Sequence, residues 1–337
     1  MDTSTEELSN VIDSTGLVPI QVLDFFLILN LFWGEVVGIF GLAANLLNII
    51  IFSKQGYDDS VNVTLTALAL SDIGALITLQ AYNLMVNPWF LRAELPVVAI
   101  DLAGISAFYP HNYFIRVCGF ITAFSALERC CCVLLPLKVK RLFTNKATLI
   151  INIAIFIVTL LDVFPIYFVA FLDWAFYPDV NKTLLGMTFR EDPNPIFSVS
   201  YFITDLFAPY FTFFVIITCT SLTVLTLKRR AAWRKDVTSV KHHTTTGMTR
   251  KDTKLVLMLS AVSCMFIACL VPQSAILTAL TFVPGIGVHE PYFDVSLVCY
   301  SICYVMETVS SSANVLVYYK MSSRYRETLH GLMAPDK

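Results

Sequence analysis

Charge is scarce in this sequence. Only 14% of its 337 residues are Asp, Glu, Lys or Arg, where an ordinary soluble domain carries about a quarter. With 56% of residues hydrophobic, that scarcity excludes the pair of soluble domains that length alone would suggest. Lys and Arg are missing from residues 1–24. The basic start that a cleavable signal peptide needs is therefore absent, and the segment reads as an acidic, disordered outer tail. Nine cysteines are present, yet none lies in a loop expected to face outward, and no Cys-x-x-Cys pair falls in a polar loop. A disulfide framework and a zinc site are both unsignalled, and buried free thiols acting as small hydrophobes fit better. No Gly-x-Ser-x-Gly, catalytic aspartate pair or His-Glu-x-x-His occurs, so no enzyme activity is indicated. No internal repeat or inverted half appears either, which weighs against a transporter.

What the chain does have is long apolar runs. A bilayer core takes about 20 apolar residues per helix, and seven runs qualify: roughly 25–53, 62–86, 100–135, 147–172, 197–228, 253–283 and 291–319. After Tyr319, Met321, Tyr325, Leu329 and Leu332 recur at helical spacing with Arg324 and Arg326 between them, the pattern of a helix lying on a membrane face. No cysteine follows Cys303, so a palmitoyl anchor on that helix is excluded. The expected fold is an all-α membrane protein, a seven-transmembrane helix bundle with a short amphipathic C-terminal surface helix. It divides into an outer tail (1–24), the bundle (25–320) and the surface helix with a short inner tail (321–337).

Charge placement gives the orientation. Eighteen of the 23 Lys and Arg residues fall on one side, among them Lys138, Lys140, Arg141 and the cluster from Lys228 to Lys254. Only Arg92, Lys182 and Arg190 lie on the other, with Arg116 and Arg129 inside helices. The basic side is expected to be cytoplasmic, which places the N-terminus outside and the C-terminus inside a multi-pass plasma-membrane protein. Of two glycosylation sequons, Asn62 falls at an inner helix end and should stay unmodified, while Asn181 lies in the long outer loop and is the candidate. Trp174, Tyr177 and Pro178 at the start of that loop suit an interfacial belt. The His242-His243 pair has the chemistry to bind metal, but reads better as part of a solvated loop.

An ordered set of short motifs runs along the helices. Gly41-Leu42-Ala43-Ala44-Asn45 lies in the first and Leu68-Ala69-Leu70-Ser71-Asp72 in the second. Glu128-Arg129-Cys130 ends the third, with Pro136-Leu137-Lys138 after it. Pro209 marks the fifth, Phe266 and Cys269-Leu270-Val271-Pro272 the sixth, and Asn314-Val315-Leu316-Val317-Tyr318 the seventh. Over about residues 35–326 this set resembles the rhodopsin-like (class A) G-protein-coupled receptors. The Glu-Arg-Cys run followed by Leu-Pro-Leu-Lys-Val-Lys looks most like the expanded chemosensory-type receptors of molluscs and other invertebrates. There are departures: Cys130 replaces the motif tyrosine, Leu270 the tryptophan and Val315 the proline. Ile217 stands where helix five usually has a tyrosine, Gly104 occupies the usual disulfide position, and helix four has no tryptophan.

The resemblance implies an extracellular small-molecule or peptide ligand, such as a chemosensory cue, and a heterotrimeric G protein as inner partner, with no nucleic acid. Arg129 is the expected switch residue, with Glu128 beside it and Asp252 as its acidic partner on helix six; Asn314 and Tyr318 complete the set. A buried pair of this kind is a two-state element, and the alternative for Arg129 is snorkelling to the headgroups. Asp72 with Asn45, Ser310, Ser311 and Asn314 resembles the family's sodium site, the alternative being a protonated aspartate in a polar network. The ligand pocket is expected at His111, Asn112, Ile115, Arg116, Asp205, Gln273, Ser274 and Glu307. His111 stands where amine receptors carry an aspartate and is no fixed anion, so an amine ligand is disfavoured. Arg116 is expected to face Asp205, with Asp162 nearby, either as a structural ion pair or as a site for an acidic ligand group. Glu35 is expected to face helix seven. A transporter or channel using the intramembrane charges is the rival reading.

Overall fold

The computed structural model describes residues 20–135, 143–178, 181–190, 199–237 except 201, 250–283 and 293–333. Lys138, Lys140, Arg141, His242, His243 and the side chain of Asp252 lie outside the described residues.

Eight helices carry the architecture: α1 (Ile20–Gln55), α2 (Ser60–Met85), α3 (Tyr109–Leu134), α4 (Asn145–Val163), α5 (Ala208–Val237), α6 (Arg250–Phe282), α7 (Phe293–Met321) and α8 (Ser323–Met333). Local chemistry sets several of their ends. The Asp59 carboxylate accepts the Val61 N–H at 3.1 Å and the Thr144 hydroxyl accepts the Ala147 N–H at 3.2 Å, so α2 and α4 each start on an N-cap. A proline inside a helix has no N–H to give, and its ring crowds the carbonyl four residues back. Wider π-helical turns at Gly104–Phe108 and Phe202–Phe207 come just before Pro110 and Pro209 and relieve that crowding. A short helix, Ala99–Ala103, leads into the first of them.

Among the described residues, six helical segments are long and apolar enough to cross a membrane: α1, α2, α4, α6, and α3 and α5 with their π-helical entries. The 29-residue α7 is as long but more polar. Its Glu307, Thr308, Ser310, Ser311, Ser312 and Asn314 are all buried, so they face the bundle interior, where polar groups of a membrane protein find partners. The outside is the reverse: Ile150, Leu161 and Phe214 are each about two-thirds exposed, as lipid-facing side chains should be. α3 runs through the middle, touching α2, α4, α5 and α6, while α1 packs along α2 and α7. Small residues allow the close approaches: a Cβ added at Gly41 would strike the Ser312 side chain, and one at Gly74 the Phe114 ring.

Four expectations need correction. The fourth apolar run does not stay helical to residue 172. It stops at Val163 beside Pro165, makes one turn over Ile166–Val169, and becomes a strand at Ala170, because Pro165 has no N–H to continue the helical ladder. The outer loop is not plain loop but an antiparallel hairpin of β1 (Ala170–Tyr177) and β2 (Lys182–Phe189). Helix is present from Ile20, inside the expected tail, and Asp24 meets Arg92 there at 2.6 Å on the surface. At the basic end α5 continues to Val237, well into the expected third inner loop.

The hairpin is fastened without a covalent bond. The Val98 N–H donates to the Leu185 carbonyl and the Leu185 N–H to the Pro96 carbonyl, both at 2.9 Å, and the Met187 N–H donates to the Asp101 carboxylate at 2.9 Å. All nine cysteines are free thiols. At the hairpin tip Asn181 takes a positive φ of 49° and is exposed, a conformation asparagine tolerates, while buried Asn62 gives its amide to the Gly56 carbonyl at 2.8 Å.

Candidate functional site

Buried polar groups form three levels along the bundle. At the basic end, the Arg129 guanidinium lies 2.7 Å from the Glu128 carboxylate, which also accepts the Ser60 hydroxyl at 2.6 Å. Glu128 is 2% exposed. The arginine is thus held by its own neighbour, and that neighbour is pinned to α2. Sequence reasoning found the pair but not Ser60, which has no motif to mark it. Arg230 of α5 closes the same end by donating to the Val133 carbonyl at 2.8 Å.

In the middle, both oxygens of Asp72 meet donors: the Asn314 amide at 2.9 Å and the Cys118 thiol at 3.4 Å. Asn45 donates to the Ser311 carbonyl at 2.9 Å and accepts from the Asn48 amide at 3.3 Å, and Asn48 in turn accepts the Tyr325 hydroxyl at 2.6 Å. Burial pushes the Tyr325 hydroxyl up to about 12, so it remains a protonated donor. This chain of bonds runs from the centre of the bundle to the surface helix, where Tyr325 also packs on Phe52 and Tyr318. Ser310 and Ser311 are buried beside it. A sodium ion would have to displace the amide and the thiol from Asp72, and a thiol is a poor ligand for a hard cation.

Towards the hairpin end, two charge pairs lie on α3 five residues apart, about 7.5 Å along the axis. The Arg116 guanidinium donates to the Asp205 carboxylate at 3.0 Å, with both side chains 9% exposed. Asp205 belongs to the π-helical turn before Pro209. Close by, Asp162 accepts the Thr204 hydroxyl at 3.0 Å. The pair bridges α3 and the start of α5, as the resemblance implied. Ile115, Arg116, Gln273 and Ser274 line a cavity here with Thr212 and Phe266, of only about 10 Å³, room for about one water.

The other pair joins α3 to α7. His111 Nδ1 faces the Ala75 carbonyl at 3.0 Å, and a carbonyl only accepts, so Nδ1 carries a proton. Its Nε2 stands 2.7 Å from the Glu307 carboxylate, with the side chains 1% and 2% exposed. That contact is too oblique to make an aligned hydrogen bond, and neither Glu307 oxygen has another partner. Above it lies an aromatic cluster the sequence reading missed: Tyr304 meets His111, Tyr82 and Tyr300 at centroid distances of 5.9, 5.5 and 6.0 Å, and Tyr82 meets Phe108 at 5.9 Å. The four-residue spacing of Tyr300 and Tyr304 was its only trace in the sequence. Asn112 is buried on α3 next to this pair.

Glu35 does not face α7. The Asn83 side chain of α2 hydrogen-bonds its carboxyl, and Gln80 donates to its backbone carbonyl at 3.2 Å. A wider apolar groove, about 540 Å³ and lined by residues such as Leu70, Leu149 and Ile153, lies between α2 and α4 on the bundle's outside, away from all three levels.

Membrane-crossing helices around a polar interior, with a paired arginine at the basic end and buried charges at the other, define a serpentine receptor. Residues 36–283 match the family described as serpentine type 7TM GPCR chemoreceptor Srx, and the chain belongs to that family. The match supports the chemosensory part of the resemblance and is silent on the molluscan part. No curated protein matches the chain.

Proposed function

We propose that the chain is a plasma-membrane chemoreceptor that binds an extracellular small molecule or peptide between the hairpin-end halves of its helices and activates a heterotrimeric G protein at the basic end. The observation that carries this reading is Arg129, paired with buried Glu128 at the end of α3, where Glu128 is held in turn by Ser60. Arginine cannot discharge, so releasing it from Glu128 presents a cation at the basic end, and an outward movement of α6 and α7 would open that surface to the G protein. Asp252, Asn314 and Tyr318 belong to the same switch in this reading, with Asn314 coupling Asp72 to α7. The termini follow the charge bias, N-terminus outside and C-terminus inside.

Nucleotide exchange on a purified heterotrimer tests this without a known ligand. Glu128→Gln releases the arginine and raises ligand-independent exchange, while Arg129→Ala abolishes it. Substrate-coupled flux through proteoliposomes lacking G protein, with no exchange in any variant, would establish a transporter instead.

A further inference from the structure

The histidine at position 111 argued against an amine ligand because it is no anion. An anion nevertheless stands beside it, supplied from the opposite helix. Glu307 of α7 lies 2.7 Å from His111, so the α3 position has an acidic group at its side after all. Resting on the receptor reading above, we infer that Glu307 is the counter-ion for a ligand carrying a protonated amine, and that His111 occupies the amine's place in this conformation.

Three observations point the same way. Glu307 is 2% exposed, and both its oxygens lack an aligned hydrogen bond. A buried carboxylate without donors is costly, and an ammonium group, with up to three donors, meets that need better than one oblique imidazole nitrogen. The walls fit as well. Tyr304, stacked on Tyr300 and edge-on to Tyr82, adjoins His111, and Phe108 extends the aromatic surface towards the hairpin end. Aromatic faces around a carboxylate are how proteins hold organic ammonium groups. The other buried pair argues against an acidic ligand: the Arg116 charge is already matched by Asp205, with Asp162 close behind, so an incoming carboxylate would meet two others.

The exchange is also mechanically useful. His111 is tied to the Ala75 carbonyl of α2, and Glu307 lies on α7 in the same stretch as Ser310, Ser311 and Asn314. A ligand that draws Glu307 away from His111 loosens α7 from α2 and α3, about two turns above the hydrogen bond from Asn314 to Asp72. Binding energy is thereby directed at the helix that carries the central network.

The test uses the full-length receptor in lipid nanodiscs and reads its thermal unfolding midpoint with four probes that share one ring. These are 2-phenylethylammonium, phenyltrimethylammonium, neutral 2-phenylethanol and anionic phenylacetate, each at millimolar concentration. A probe that binds only the folded state raises the midpoint. The two cations are expected to raise it and the alcohol and carboxylate to leave it unchanged. Glu307→Gln is expected to abolish the cation response, whereas His111→Ala, which removes the competing imidazole, enlarges it. If Glu307→Gln does not fold, the His111→Ala response decides. Equal shifts from all four probes, a cation response that survives Glu307→Gln or shrinks in His111→Ala, or no cation response in the parent receptor would each overturn the assignment. Because the readout needs no G protein, failure of coupling leaves it intact. Conversely, basal exchange by Glu128→Gln remains measurable if no cation binds.

Discussion

Helix three holds two buried charge pairs built to opposite specifications. Arg116 and Asp205 are joined by a hydrogen bond at 3.0 Å, and the arginine is charged under all conditions. Removing its partner leaves a bare charge in the bundle. His111 and Glu307 are closer, at 2.7 Å, yet misaligned, and an imidazole can stand neutral, so the pair can part without stranding a cation. Asp205 of the first pair also sits in a π-helical turn just before Pro209, while the second pair joins α3 to α7 directly. Proximity and strength are therefore different things here: the longer contact is the fixed one, and the shorter is the exchangeable one.

The largest effect should come from breaking the fixed pair. Asp205→Leu is expected to cost about 3 to 5 kcal/mol by leaving Arg116 uncompensated, seen as a sharp fall in unfolding midpoint and in surface expression. Arg116→Met added to Asp205→Leu should recover most of it. A cost from Asp205→Leu no larger than a hydrogen bond's would remove the distinction. Tyr325→Phe supplies the yardstick, since it deletes one neutral hydrogen bond to Asn48 and should cost about 0.5 to 1.5 kcal/mol in chemical unfolding. Glu307→Gln should cost no more than about 1 kcal/mol, because the residue it leaves facing the amide is an imidazole that can be neutral. Should Glu307→Gln prove as damaging as Asp205→Leu, the pair is structural and the comparison fails.

Much of this was legible from the residues. The apolar runs gave most helix ends to within a few positions, because lipid imposes length and polarity with little ambiguity; the far ends of α4 and α5 are the exceptions. The resemblance to the receptor family, placed on Arg129 and Pro209, implied the meeting of Arg116 and Asp205 that the structure shows. What failed was rotation and strand pairing. Glu35 was aimed at α7 when it faces α2, since neighbouring residues on a helix differ by about 100° and a small error in register turns a side chain to another partner. The hairpin was missed because β1 continues the apolar run of α4 without a polar break, and the decisive proline lies inside that run. Glu307 was placed in the pocket, but its meeting with His111 depends on how α7 packs against α2 and α3, which no local pattern records. Ser60 and Asn48 carry key hydrogen bonds yet are unremarkable as letters.

The smallest expected effect follows from the hairpin's fastenings. Three backbone donors and the Asp101 carboxylate hold it to the chain leading into α3, and every cysteine is a free thiol. Oxidative maturation therefore has no part in completing this end of the molecule. A strong reductant should leave the unfolding midpoint unchanged, whereas Asp101→Ala, which strands the Met187 N–H, should raise hydrogen–deuterium exchange along β2. The practical consequence is one of manufacture: the protein can be made in a reducing cell-free extract, with no isomerase to shuffle its sulfurs, and still close its outer face.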